Sequence, residues 1–238
     1  MNPYEKLLSR KRKWTPVQTT AGTCKEGAEE AIYRALALRH MELPVGDFIQ
    51  DALEKNVPDS AKALLLSNVK DEENHDLALG YIANAYGVDP KAEREALALQ
   101  KAWIEHPDHT IVKAMVAERA IFFVLLPFFR ANGDAGMRTV SADISRDEQV
   151  HVATNSLLVK ELGLEISPSL DKLRKATINW VMQPLKHKDP VKKLDKKFWL
   201  DSSDNLMYQG KAPELSFTKA ARMPAFFEHS NVNLPQYA

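Results

Sequence analysis

The sequence predicts an all-α fold on three observations. Glycine is scarce, with 9 in 238 residues. Apolar residues recur with a period near 3.6 over long stretches, and alternating β-branched runs bounded by turn pairs are rare. The length suits one substantial core with an appendage.

In order along the chain, residues 1–24 read as a basic, irregular N-terminal segment containing Trp14-Thr15-Pro16. Thr23 then offers an N-cap for a first long helix over Lys25 to Leu43, which Pro44 is expected to stop. A short amphipathic piece, Asp47 to Lys55, leads to Pro58-Asp59-Ser60, which opens a second long helix ended by Gly87. A modest helix follows through Trp103. Pro107-Asp108 opens a third long helix reaching Arg130, with a local bend expected at Pro127 because proline removes a backbone donor. Asn132-Gly133-Asp134 turns into a fourth, reaching Leu162-Gly163, and one more helix spans Ser169 to Leu185. The Lys-rich linker Lys186 to Lys197 and about 40 residues rich in turn formers complete the chain. The organisation expected is thus an N-terminal segment (1–24), a helical bundle (25–185), and a linker with an irregular C-terminal arm (186–238).

Charge and cysteine content narrow the function. Lys plus Arg and Asp plus Glu number 32 each, so nothing in the overall charge favours nucleic acid or an anionic membrane as partner. The basic run Ser9-Arg10-Lys11-Arg12-Lys13 is local. Cys24 is the only cysteine, which excludes an intramolecular disulfide, a cysteine zinc cage and a Cys-x-x-Cys redox pair. The most apolar stretch, Ala120 to Phe129, falls far short of the roughly 20 residues that cross a bilayer, and no apolar signal core opens the chain. A cytoplasmic protein is expected.

Chemistry concentrates in Glu72-x-x-His75 and Glu148-x-x-His151, since an i, i+3 spacing puts carboxylate and imidazole on one helix face within reach of one cation. With 17 Glu and 7 His, composition alone gives about half such a pair by chance, so recurrence by itself decides little. Position decides more. Both pairs fall in the middle of long helices on the side that faces the core, where Glu and His without a metal would be costly to bury. Glu118 is a lone acid entering the apolar run Ala120-Ile121-Phe122-Phe123, and reads as a bridging carboxylate. A sixth donor must come from the first helix. There Ala31, Ala35 and Leu38 define an apolar stripe on which Glu42 lies, with Glu29 at its margin as the alternative. Four carboxylates and two imidazoles suit a pair of iron or manganese ions.

These residues resemble the small subunit of class I ribonucleotide reductase. Ile144-Ser145-Arg146-Asp147-Glu148-Gln149-Val150-His151 is similar to that family's Ile-Ser-Arg-Asp-Glu-x-x-His helix. Glu118 with Ile121-Phe122-Phe123 resembles its preceding helix, and Met137-Arg138-Thr139-Val140-Ser141 the approach to the motif. Lys13-Trp14-Thr15-Pro16 resembles its N-terminal tryptophan segment, and Met223-Pro224-Ala225-Phe226-Phe227-Glu228 is similar to its C-terminal Asn-Phe-Phe-Glu signature. The resemblance selects Glu42, in Glu42-Leu43-Pro44-Val45-Gly46-Asp47, as the first metal carboxylate. It implies a ferritin-like bundle holding two metal ions per chain, iron and/or manganese, on Glu42, Glu72, His75, Glu118, Glu148 and His151. It also implies a radical relay in which Asp147 orients a metal-bound histidine and links it to Trp14, and Tyr237 passes the oxidising equivalent to a large catalytic subunit. A homodimer is expected, binding no nucleic acid and no membrane.

Two departures stand out. Many members carry a radical-storing tyrosine one turn after the first metal histidine, where this chain has Leu79; Tyr81 lies 180° around the helix from Glu72, leaving storage on the metal pair or on another tyrosine such as Tyr33. The span from Glu72 to Glu118 is short, and little chain follows Tyr237, as in a minimal member. The rivals are a di-metal oxygenase or aldehyde-deformylating enzyme on the same bundle, and an iron-storage protein.

Overall fold

The computed structural model describes residues 2–16, 22–55 and 57–218, and among them the chain is helical with no strand. The helices are α1 (Pro3–Leu8), α2 (Glu29–Ala37), α3 (Glu42–Leu53), α4 (Asp59–Tyr86), α5 (Pro90–Glu105), α6 (Thr110–Ala117), α7 (Phe123–Asn132), α8 (Ala135–Glu161), α9 (Pro168–Met182) and α10 (Lys196–Gln209). Four helical lines close a ring: α3 packs on α4, α4 on α8, α8 on α6 and α7, and α6 back on α3. Helices α5, α9 and α10 buttress this ring from outside, and α1 lies across α4 and α8.

Amphipathic spacing explains the long members. The buried residues of α4 run Ala61, Leu64, Leu65, Asn68, Asp71, Glu72, His75, Ala78, Leu79, Ile82, Ala83, a stripe stepping by three and four. Gly87 ends the helix at φ +81°, a conformation that favours glycine. Helix α8 is capped by Asp134, which accepts from the Met137 amide, and carries an equivalent stripe from Val140 to Leu158.

Three local departures from the sequence expectations have physical causes. The first line does not stop at Pro44. It narrows earlier into a 3-10 turn, Leu38–Met41, and α3 then runs through Pro44, whose missing donor falls in the first helical turn where no intrahelical partner is needed. The third line contains Pro127 within α7, but its irregularity lies upstream, in a single π-turn, Glu118–Phe122. Helix α10 occupies residues expected in the linker and tail. It docks because Trp199 is fully buried, edge-on to Phe128 at 5.2 Å, and because Ser203 donates to the Ala120 carbonyl (2.6 Å) within the π-turn. Arg119 completes the join by donating to the Leu206 carbonyl at 2.9 Å.

Helix α1 matters because it aims the segment C-terminal to it. Asn2 and Glu5 form a reciprocal N-terminal cap, and the Tyr4 hydroxyl donates to Glu161 at 2.5 Å. The helix is thereby pinned to the end of α8, and the next residues, Lys11 to Trp14, are laid against the middle of the bundle. No described helix is long and apolar enough to cross a membrane.

Candidate metal centre

The buried stripes of α4 and α8 face each other, and each turns polar in its middle: Asn68, Asp71, Glu72 and His75 on one, Asp147, Glu148 and His151 on the other. Glu42, in the first turn of α3, and Glu118, at the start of the π-turn, complete a ring of six inward side chains, none more than 3% exposed. One carboxylate from each of two helical lines plus a Glu-x-x-His from each of the other two is the donor arrangement that holds two metals inside a bundle.

The donors fall into two overlapping groups, Glu42, Glu72, His75 and Glu148, and Glu72, Glu118 and His151, with ligand atoms within 4.8 Å of one another in each. His75 Nδ1 lies 3.6 Å from Glu42, 3.3 Å from Glu72 and 3.4 Å from Glu148. His151 Nδ1 lies 2.9 Å from Glu72, 3.7 Å from Glu118 and 3.8 Å from Glu148. Glu72 and Glu148 therefore each reach both imidazoles, one oxygen to each, whereas Glu118 meets only His151. Glu72 and Glu148 thus stand between the two imidazoles, and Glu118, expected to bridge, stands to one side beside His151; a lone acid in an apolar run signals burial, not which partners it will meet.

The donor set fits cations. Glu42 Oε2, both oxygens of Glu72 and of Glu148, Glu118 Oε1, and the Nδ1 atoms of both histidines are buried without a hydrogen-bond partner. Leaving so many buried polar atoms unsatisfied is costly unless something binds them. With neutral imidazoles the four carboxylates carry a formal charge that two divalent cations would balance. The electrostatics register the crowding. Burial, foremost, pushes the Glu42, Glu118 and Glu148 carboxyls above their ordinary range, with neighbouring carboxylates adding to the shift. Burial also acts on Glu72, but His151 and His75 outweigh it and hold Glu72 low. Burial would lower His75, yet Asp147 and the surrounding glutamates raise it well above the usual value.

Behind each histidine stands an aspartate from the opposite helix. His75 Nε2 faces Asp147 Oδ2 at 3.4 Å, and the same oxygen accepts from Trp14 Nε1 at 2.5 Å. The Trp14 ring, half-buried, stacks toward His75 with centroids 6.2 Å apart. Burial tends to raise Asp147, but His75 and Trp14 overcome it and hold the carboxyl low. His151 Nε2 faces Asp71 Oδ2 at 2.9 Å, and Asp71 pairs with the ammonium of Lys11. Asn155 donates to Glu118 Oε2 at 2.6 Å, which turns the other oxygen inward.

Glu29 is exposed at the start of α2 and accepts from the Gly27 amide (2.8 Å), so Glu42 and not Glu29 joins the cluster. Leu79 is buried beside Glu42, where Leu38, Phe122, Leu125 and Leu126 line a slot of only 10 Å³. Tyr33 donates to the Tyr86 carbonyl, eleven residues along α4 from His75 and so about 16 Å distant along the axis. Tyr237 and the Met223–Glu228 signature lie outside the described residues. Asp71 is a site residue that the Glu-x-x-His search passes over, although Asp71-Glu72-x-x-His75 repeats Asp147-Glu148-x-x-His151 and could have revealed it. Lys11 carries no such signal, because its segment has no helical period.

The fold is similar to the crystal structure of a protein from Bacillus halodurans named "putative class I ribonucleotide reductase", with a TM-score of 0.61 and 18% sequence identity over 92% of this chain and 97% of that one. No protein-family model matches the chain, and no curated protein matches it. The chain therefore has an all-α, ferritin-like bundle fold, with a buried carboxylate and imidazole cluster able to hold two metal ions.

Proposed function

We propose that the chain is the small, radical-generating subunit of a class I ribonucleotide reductase, a cytoplasmic homodimer that serves deoxyribonucleotide synthesis with a large catalytic subunit. The observation that carries the reading is the connected series His75, Asp147, Trp14, which leads from the cluster to the half-buried edge of the bundle. A carboxylate behind a metal-bound histidine is common to metal sites of any function; the link onward from Asp147 to Trp14 is what favours a relay over storage or substrate oxygenation.

In this reading Glu42, Glu72, His75, Glu118, Glu148 and His151 hold a manganese and/or iron pair, which supplies a one-electron oxidising equivalent when bound. Asp147 fixes the His75 ring and holds the Trp14 indole proton, so the indole is oriented for electron transfer toward the cluster. Tyr237 passes the hole onward to the large subunit. Leu79 leaves no phenol one turn beyond His75. The reconstituted protein is accordingly expected to lack a sharp tyrosyl resonance; a long-lived tyrosyl radical on Tyr33 or elsewhere would contradict this.

The test is nucleoside diphosphate reduction by metal-reconstituted protein with its cognate large subunit. Tyr237→Phe should keep the metal content and abolish reduction, since phenylalanine has no phenol to oxidise. Turnover of an aldehyde or hydrocarbon without any partner would replace this reading with the oxygenase one. Light scattering should give twice the chain mass of 26.8 kDa, and a value at the chain mass would refute the dimer.

A further inference from the structure

Lys11 stands behind one half of the centre, and its counterpart behind the other half is not a lysine but an indole. Its ammonium pairs with Asp71, donates to Asn68 Oδ1 at 3.0 Å and lies 3.3 Å from His151 Nε2, with 9% of the side chain exposed. Behind His75, Asp147 accepts from uncharged Trp14. The nearest cation there is Arg12, whose Nε is 3.9 Å from Asp147 while its terminal nitrogen pairs with Asp143 at 3.1 Å. The His151 side thus has one carboxylate matched by one ammonium. The His75 side has two carboxylates sharing one guanidinium, a formal excess of one negative charge. The Lys11–Asp71 pair is about nine-tenths buried and so weakly screened from His151, whereas the Arg12–Asp143 pair is about a quarter exposed and better screened.

We propose that Lys11 makes the two cation positions unequal, so that the position at Glu42 and His75 fills first and the position at Glu118 and His151 fills second. The inference rests on the cluster being a two-metal site, and not on which reaction the metals serve. Lys11 is a positioning residue, touching the outer nitrogen of His151 and none of the inward donor atoms. Its two effects have opposite signs. Through Asp71 it helps orient the imidazole, which favours binding; through its charge it opposes a cation on the far side of that ring. The charge dominates because Asp71 meets His151 directly, at 2.9 Å, and not through Lys11. Repulsion between the two cations is common to both positions; Lys11 is felt through space by Asp147, Glu72 and Glu148 as well as Glu118, but its direct contacts are with His151 and with Asp71 and Asn68 behind it, so its effect is strongest on the position at His151.

The experiment titrates the metal-free full-length chain with Mn²⁺ at about pH 6.5, following free ion by electron paramagnetic resonance and heat by calorimetry. Wild type should bind in two steps separated by about tenfold or more. Glu118→Ala should keep the tighter step and Glu42→Ala should lose it. Lys11→Met, similar in length and uncharged, should tighten the weaker step by about tenfold, while Lys11→Arg keeps the separation. A purely structural lysine predicts the reverse, a weaker step further weakened or lost in Lys11→Met. That result in a variant of native helix content, an unchanged second step, or loss of the tighter step in Glu118→Ala would each overturn the proposal. Should Lys11→Met fail to fold, Lys11→Gln, uncharged and able to hydrogen-bond Asp71, is read in its place with the same expected and contrary outcomes. Two equal steps in wild type would refute the inequality alone, whereas no Mn²⁺ binding would refute the two-metal site itself.

Discussion

The two halves of the centre share an inner pattern and differ in what stands behind it. Asp71-Glu72-x-x-His75 and Asp147-Glu148-x-x-His151 present the same side chains from facing helices, and each aspartate backs the other helix's histidine. Behind Asp147 the chain places Trp14; behind Asp71 it places Lys11. Both come from the same short irregular segment laid over α4 and α8. Near-symmetry of the donors is thus a property of helical spacing, and the asymmetry that function can use is imposed by a segment with no helical period at all.

The largest break in the comparison should come from the shared donors. Glu72 reaches both imidazoles, so Glu72→Ala is expected to lose both metals, whereas Glu118→Ala should lose one, with helix content by circular dichroism intact in each. Full two-metal binding by Glu118→Ala would remove it from the donor set. Next in size are the backing aspartates. Asp147→Asn and Asp71→Asn should each lower metal affinity by about 10- to 100-fold, the usual scale for a group that orients a ligating histidine. Calorimetric titration would show whether each acts mainly on the step belonging to its own histidine.

The helical spacing that makes the inner donors legible in the sequence also limits what can be read there. Glu72, His75, Glu148 and His151 announce themselves by i, i+3 pairing in long helices, whereas the stripe on the first line favours Glu42 with Glu29 still open, and the family resemblance is what selects Glu42. Which carboxylate lies between the histidines is set by how the helical lines pack, so the place expected of Glu118 is taken by Glu72 and Glu148. The 3-10 turn at Leu38–Met41 and the π-turn at Glu118–Phe122 are likewise tertiary adjustments, the latter tied to Ser203 from an element the sequence presents as tail. Lys11 reads as one charge in a basic run, and only folding turns it inward.

A third prediction concerns pH. Glu42, Glu118, Glu148 and His75 all have raised values in the metal-free fold. Each contributes stability that is present below its ordinary value and lost as pH rises through the raised one. Glu72 and Asp147, held low, contribute stability above the ordinary carboxylate range that is lost only on acidification. Between about pH 5 and 8 the metal-free protein should therefore melt at falling temperature, and added Mn²⁺ should raise Tm more at the upper end. A gain in Tm that shrinks with rising pH would contradict the carboxylate origin of binding.

The smallest effect sharpens the contrast between indole and ammonium. Trp14→Phe removes the donor to Asp147 but keeps the ring, and at a half-buried site should cost about 1 kcal/mol in denaturant unfolding with two metals still bound. A cost above about 3 kcal/mol would mean that Trp14 serves chiefly to hold the bundle together.

The most direct test of the whole account is the metal content of the chain after reconstitution with excess manganese and iron followed by removal of loosely held ions. Two ions per chain in wild type, falling to none in Glu72→Ala, is the predicted result. One ion or none in wild type, or two retained in Glu72→Ala, would show that the buried carboxylates and imidazoles do not form a two-metal centre.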